Sequence, residues 1–443
     1  MTVTSNALEG IVVGLLLGLF AVPAVASRLA RGDDNPWIFR LAVVGGVLKL
    51  AMAPLYIFVI DHFYGGVADY RGYLNAGSQV GTLIRHGQFS FQVGPFIGDG
   101  ATSIITGIDY AIVGNDQLGV FFLFAFASFV SLTFFYRAFR LAMPQADRRR
   151  YGALIFLLPS LLFWTSDVGK DAIISFGLGI GAIGAARILN RTHGGFLLCA
   201  AGLAIVGIIR PHVALMYFVG VAAAYLLTRS RRAKPRTAAG KLAGLIVIVV
   251  GGLILIKYTE RFLGIHSLSL SAIKKALQKN AVNTGSAATG QIGQFGSSRA
   301  ASTSLSPLAI PVDIYDVLIR PLPFRAHGIT QLASSAENLF IVSLFVVSWR
   351  RVWTALRSMR REPYVMLCTV YSLIWVVLYA SIGNLGILAR EKSSLMPALL
   401  ILVCWPRPSV DRTSPATAIP GSSLEVPPDT ATQRTAAGFV HGW

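Results

Sequence analysis

Between two apolar runs, the stretch FWTSDVGKDAIISFG places Ser166, Asp167, Lys170 and Asp171. Asp167 and Asp171 are four apart, so on a helical turn they share a face and repel unless Lys170 or a ligand separates them. A lysine held in this way suits an anionic substrate. The same residues also suit an ordinary helix start, with Asp171 favoured by the helix dipole, Ser166 or Asp167 as a cap, and Lys170 at an interface. In GGVADYRGYLNAG, Asp69 and Tyr73 fall on one helical face. A carboxylate there can act as general base on an acceptor hydroxyl if partial burial raises its pKa. GIIRPHVAL supplies Arg210 and His212 around a helix-breaking proline; IRPLPFRAHG supplies Arg320, Arg325 and His327; LAREKSSLMP supplies Arg390. Arginine matches phosphate with two donors at once, and histidine shares a proton or bonds a sugar. Arginines that snorkel to lipid headgroups fit the same pattern. The catalytic candidates are Asp69, Lys170, Asp171 and His212. Tyr73, Asp167, Arg210, Arg320, Arg325, His327 and Arg390 are candidates for substrate binding.

The elements that must carry these residues are membrane helices. Of 443 residues, 54% are hydrophobic and only 13% charged, and the mean hydropathy is +0.62, which excludes an ordinary soluble domain. A span needs roughly 20 apolar residues, fewer inside a bundle, and about eleven stretches qualify. They are 8–26, 41–60, 118–136, 151–164, 172–189, 195–209, 213–228, 242–256, 338–348, 364–382 and 395–405. The expected fold is therefore an all-α, polytopic helix bundle over 1–405, with external loops 61–117 and 257–337 and a disordered cytoplasmic tail over 406–443.

Alternate connections carry the arginines: Arg28, Arg31 and Arg40; Arg137, Arg140 and 148–150; Arg187 and Arg191; 229–236; Arg350 to Arg361. Held inside, as basic residues in short loops are, they put the N-terminus outside and the C-terminus inside. The net charge of +19 then reflects insertion and anionic headgroups. Nucleic acid is not the expected partner, because the basic residues are scattered over short loops and no soluble domain accompanies them. The first apolar stretch resembles a signal peptide at Ala24-Val25-Ala26, but nothing basic precedes it, so a retained helix is expected. Cys199, Cys368 and Cys404 all fall within spans, where neither a disulfide framework nor a thiolate metal site is expected.

The hairpin 163–171 and the other polar groups should therefore meet at one depth, the outer interface. Lys49 lies midway along the second span, where an ammonium costs about 2.5–3.5 kcal/mol, so it must face the bundle interior. Structural pairing and anion binding both fit it. The sequence holds no His-Glu-x-x-His, Cys-x-x-Cys or Gly-x-x-x-x-Gly-Lys-Ser/Thr. Short cytoplasmic loops leave no place to house nucleotide chemistry, so a substrate used at the outer face should arrive embedded in the membrane, as a polyprenyl-phosphate lipid does.

PSLLFWTSDVGKDAIISFGLG, GIIRPHVAL, VLIRPLPFRAH with SSAENLF, and GNLGILAREKSSLMPALLIL resemble segments of multi-spanning bacterial envelope proteins of exopolysaccharide assembly. The order of an acidic loop after the second span and an arginine turn before a final proline-bearing helix also resembles the GT-C glycosyltransferases and the O-antigen polymerases. The sequence departs from the GT-C pattern in lacking a paired acid at Asp69, which Tyr70 follows directly. The resemblance implies a multi-pass protein of the bacterial cytoplasmic membrane that transfers or polymerises a polyprenyl-phosphate-linked saccharide at the outer face. Its partners would be the lipid-linked saccharide, membrane lipids and other envelope glycan assembly proteins. A divalent cation is compatible with such chemistry but not required. Asp69 would be base or acceptor-binding acid; Lys170, Arg210 and Arg390 would stabilise the phosphate leaving group; His212 or His327 would hydrogen-bond the substrate. A flippase for lipid-linked saccharide and a non-catalytic assembly scaffold are the rival readings. The flippase would show binding charges through the bundle, and the scaffold would tolerate loss of these charges.

Overall fold

The computed structural model describes residues 2–31, 33, 36–63, 66, 68–89, 94–228, 238–265, 267, 269–290, 301–325 and 329–406. Among them every regular element is helical. Helices α1 (Thr2–Leu16) and α2 (Val22–Ala30) are joined by a π-helical turn, Leu17–Ala21. Pro23 follows that turn, and its ring and missing N–H do not allow the regular ladder to continue. Next come α3 (Trp37–Phe63), the pair α4 (Asp69–Arg85) and α5 (Asp99–Val113), and α6 (Gln117–Ala142). After them run α7 (Arg148–Leu157), α8 (Pro159–Phe163), α9 (Lys170–Leu189), α10 (Gly195–Ile209), α11 (Pro211–Leu227), α12 (Ala238–Leu263) and α13 (Leu270–Gly290). The short α14 (Ile310–Ile314), α15 (Ile329–Val347), α16 (Trp349–Ser358), α17 (Pro363–Tyr379) and α18 (Leu385–Val403) complete the chain. The expected tail lies, beyond residue 406, outside the described residues.

Prolines cut the apolar runs where the site needs corners. A residue before proline is pushed out of the helical region. Leu158 before Pro159, Arg210 before Pro211 and Glu362 before Pro363 are all extended, and each proline opens the next helix. Elsewhere side chains satisfy the free amides of a helix start: Asp116 caps α6, Asp147 caps α7 and Asn384 caps α18. Helices α9 and α10 pack backbone to backbone. A Cβ on Gly184 would overlap the main chain of Cys199, and one on Gly202 that of Gly181. This close approach through small residues is how helices adhere in lipid.

Six helices are long and apolar enough to cross a membrane: Leu8–Ala30, Trp37–Phe63, Gln117–Ala142, Lys170–Leu189, Gly240–Leu263 and Thr330–Val347. The count becomes seven if α16 and α17, bent by 108° at their junction, form one span. On α12, Leu242, Leu253 and Ile254 remain 59%, 57% and 62% exposed, a surface stable against hydrocarbon rather than water. The chain is a multi-pass helical membrane protein. The expected eleven spans are not sustained by length and apolarity. The fourth is broken at Pro159; α10 and α11 are shorter apolar helices; and the last belongs to α18, which carries Arg390, Glu391 and Lys392. The expected external loops are themselves largely helical, with α4 and α5 in the first and α13 and α14 in the second.

Candidate active site

The polar hairpin between α8 and α9 is set into the bundle. Thr165, Ser166, Asp167 and Asp171 are all buried, so the turn is packed among its neighbouring helices rather than open to solvent. Lys49 of α3 holds it. Its Nζ donates to the carbonyls of Leu161 (2.6 Å) and Leu162 (2.9 Å) and to Thr165 Oγ1 (2.5 Å). The C-terminal carbonyls of α8 have no intrahelical donor, and a cation there also meets the negative end of the helix. Lys49 therefore has the structural pairing, one of the two roles its position allowed. Ser166 donates to the carbonyls of Leu162 and Lys49, and neither it nor Asp167 caps α9, whose N-cap is Gly169. Asp167 Oδ2 receives a long bond from the Tyr56 hydroxyl at 3.4 Å.

Asp171, on the first turn of α9, is the centre of an ion-pair chain. Arg210 Nη1 lies 3.3 Å from Asp171 Oδ1 and also pairs with Glu391. Arg390 Nε lies 2.9 Å from Asp171 Oδ2, while its Nη1 reaches Asp69 Oδ2 at 3.2 Å. The extended backbone that Pro211 imposes on Arg210 carries that side chain off the helix end toward α9 and α18. Beside this chain Lys170 Nζ meets Asp99 Oδ1 at 2.7 Å, and the Tyr73 hydroxyl donates to the same oxygen at 2.5 Å. Exposure is graded. The Asp171 side chain is 4% exposed, Arg390 21% and Asp69 65%, so the chain runs from a buried floor to an open rim. Asp69 does not have the partial burial on which its role as a base was conditioned; it opens α4 on the exposed face of that helix, while Tyr70 and Tyr73 beside it are buried.

Arg210 and Glu391 also line a mostly apolar cavity of about 430 Å³ between α11, α12, α13, α17 and α18. Its walls include Leu215, Met216, Leu263, Leu277, Leu378 and Ile387. His212 lines it beside Tyr379, and its Nδ1 has no hydrogen-bond partner among the described residues. The Tyr379 hydroxyl lies 3.4 Å from Glu391.

Of the residues singled out in sequence, the structure thus gathers Asp69, Tyr73, Asp167, Lys170, Asp171, Arg210, His212 and Arg390 at one end of the bundle. Arg320 stays apart through its side chain, which pairs with Asp316 at 3.3 Å; only its carbonyl approaches, receiving Asn338 Nδ2 at 2.9 Å and lying 3.5 Å from Lys392 Nζ. Arg325 closes the short 3-10 turn Pro323–Arg325, and His327 lies outside the described residues. Sequence reading missed Asp99, Tyr56 and Tyr379. Asp99 sits in a polar loop with only its place at a helix start to mark it, and the tyrosines are hidden in apolar runs. Among the described residues no group of three or more His, Cys, Asp or Glu side chains is placed to hold a metal ion. Comparisons with protein families, curated proteins and solved structures give no match.

Proposed function

We propose that this protein transfers or polymerises a polyprenyl-phosphate-linked saccharide at the outer face of the bacterial cytoplasmic membrane. The observation that carries the reading is the junction at Arg210 and Glu391: a mostly apolar cavity is lined by the same residues that anchor a charged chain opening to the rim. An isoprenoid tail suits the cavity, a phosphate suits the arginines beside it, and an acceptor sugar in water reaches Asp69 on the rim. In the step itself the acceptor oxygen bonds to the anomeric carbon as the bond from that carbon to the phosphate oxygen breaks. The acceptor, seated over Asp69, supplies the burial that the open rim lacks, and the hydroxyl proton passes to that carboxylate while the lipid phosphate leaves with the electron pair toward Arg210 and Arg390. Arg390, bound to both Asp171 and Asp69, fixes the distance between base and leaving-group site. The arginine-rich connections at the opposite end support the outer location.

Asp69→Asn tests this. In reconstituted vesicles the variant should still bind a polyprenyl-phosphate saccharide while transfer falls by about 10²-fold or more, the scale of a lost general base. If the wild-type protein transfers no sugar but moves the lipid between leaflets, it is a flippase. If the wild type transfers sugar and the Asn variant keeps full activity, Asp69 is not the base, and Asp99, on the same rim, becomes the next carboxylate to test.

A further inference from the structure

At the far end of α9 a second polar feature opens, independent of the proposed transferase reading. Sixteen residues separate Asp171 from Arg187, which at about 1.5 Å per residue is roughly 24 Å, most of a hydrocarbon core. There Arg137 and Arg140 of α6, Arg148 of α7, and Arg187 of α9 line a cleft of about 890 Å³. Phe134, Leu141, Ile180, Ile183 and Leu198 form its apolar wall. The one carboxylate that meets these arginines among the described residues is Asp33, at 3.7 Å from Arg140 and 3.9 Å from Arg148. Its Oδ2 already accepts from the Tyr136 hydroxyl at 2.7 Å. Arg137 and Arg187 pair with no carboxylate among the described residues, and Arg137 stands in the repulsive field of both Arg140 and Arg187.

Like charges gathered with too few acids need an anion between them. Guanidinium forks match a phosphate's several oxygens, and the level is that of the headgroups bounding a span that ends at Leu189. We propose that this cleft is a phosphate-binding site, filled by the headgroup of an anionic phospholipid whose acyl chain lies along Phe134 and Ile183. Basic pockets between membrane helices recognise lipid phosphates in this way. Free phosphate offers the same chemistry without a use for the apolar wall.

The full chain in neutral detergent decides between these sources. Native mass spectrometry would compare added phosphatidylglycerol with phosphatidylcholine, and thermal protection would compare inorganic phosphate with chloride at equal ionic strength. Wild type should prefer phosphatidylglycerol by about tenfold or more, R137Q/R187Q should lose that preference, and R137K/R187K should keep part of it. If R137Q/R187Q does not accumulate, R187Q alone is read against R187K in the same assays. Protection by inorganic phosphate that the Gln variant loses supports the site and names free phosphate as its ligand. A Gln variant that binds both probes as wild type does, or a wild type that prefers neither, overturns the proposal.

Discussion

Asp99 is the residue whose role depends on neighbours far from it in sequence. Burial pushes its carboxyl up, but the hydrogen bonds from Lys170 and Tyr73, with the Lys170 and Arg210 charges, outweigh this and hold it below the usual carboxylate range. A depressed pKa stabilises the fold wherever the unfolded carboxyl is ionised, above about pH 4, and that contribution is lost as pH falls through the folded value. The melting temperatures of wild type and Asp99→Asn should therefore differ at neutral pH and converge below about pH 4. The neutral-pH difference should be small, because Asp99 is largely exposed. Curves that stay parallel down to the acid limit would remove the ion pair from the account. If Lys170 binds a phosphate, Lys170→Ala should weaken donor binding far more than Lys170→Arg, with both variants accumulating normally; equal, mild effects would leave Lys170 as the partner of Asp99 alone. Apart from Asp99, which sits in a polar loop, the charged residues of the site were legible because each interrupts or borders an apolar run. Their pairings were not: nothing in the spacing of Arg210 and Glu391, or of Arg390 and Asp69, marks them as neighbours.

At the level of elements, the site depends on a corner, a pin and a break. Pro211 makes the corner that releases Arg210, and the end of α8 at Phe163 makes the break that leaves its last carbonyls for Lys49. The pin was only half legible. An ammonium inside an apolar run announces a partner, yet the partners are largely main-chain carbonyls, which any sequence supplies. Lys49→Met keeps the length and removes the donor, leaving the Leu161 and Leu162 carbonyls to the hydroxyls of Thr165 and Ser166 alone. The expected cost is about 1.5–3 kcal/mol, the scale of a hydrogen bond to a charged group, read as a lower melting temperature in detergent, whereas Thr165→Val should cost less because it removes a hydroxyl and no charge. If Lys49→Met melts with the wild type and instead loses donor binding, the lysine faces a ligand and the hairpin is held by other contacts. The span count failed at this scale for a related reason. Hydropathy sums residues without regard to direction, so it counted as separate crossings stretches that proline divides or that charged residues extend.

Across the described residues, charge is divided between the two ends of the helix bundle, and the orientation of that bundle decides which compartment the site serves. At one end lie the rim acids Asp69 and Asp99 with Lys170 and Arg390; at the other, Arg351 reaches Asp147 at 3.2 Å, Arg150 donates to Ser348, and the Arg137 to Arg187 cleft opens. Clustering of arginines by connection was legible because it is a property of composition by segment, whereas the side on which each cluster lies depends on the number of spans. If those arginines are retained in the cytoplasm, the rim faces outward. In a variant whose three buried cysteines, Cys199, Cys368 and Cys404, are replaced, single cysteines at the exposed Gln88 and Ser304 should react with an impermeant maleimide on intact cells. One at the exposed Arg360 should react only after the membrane is opened; Arg350, Arg351, Arg357 and Arg361 remain to hold that end inside. Labelling of Arg360→Cys from outside, with Gln88→Cys protected, would invert the protein. The rim would then open to the cytoplasm, where an acceptor glycan outside the membrane cannot reach Asp69, and the transferase reading would fail with the orientation.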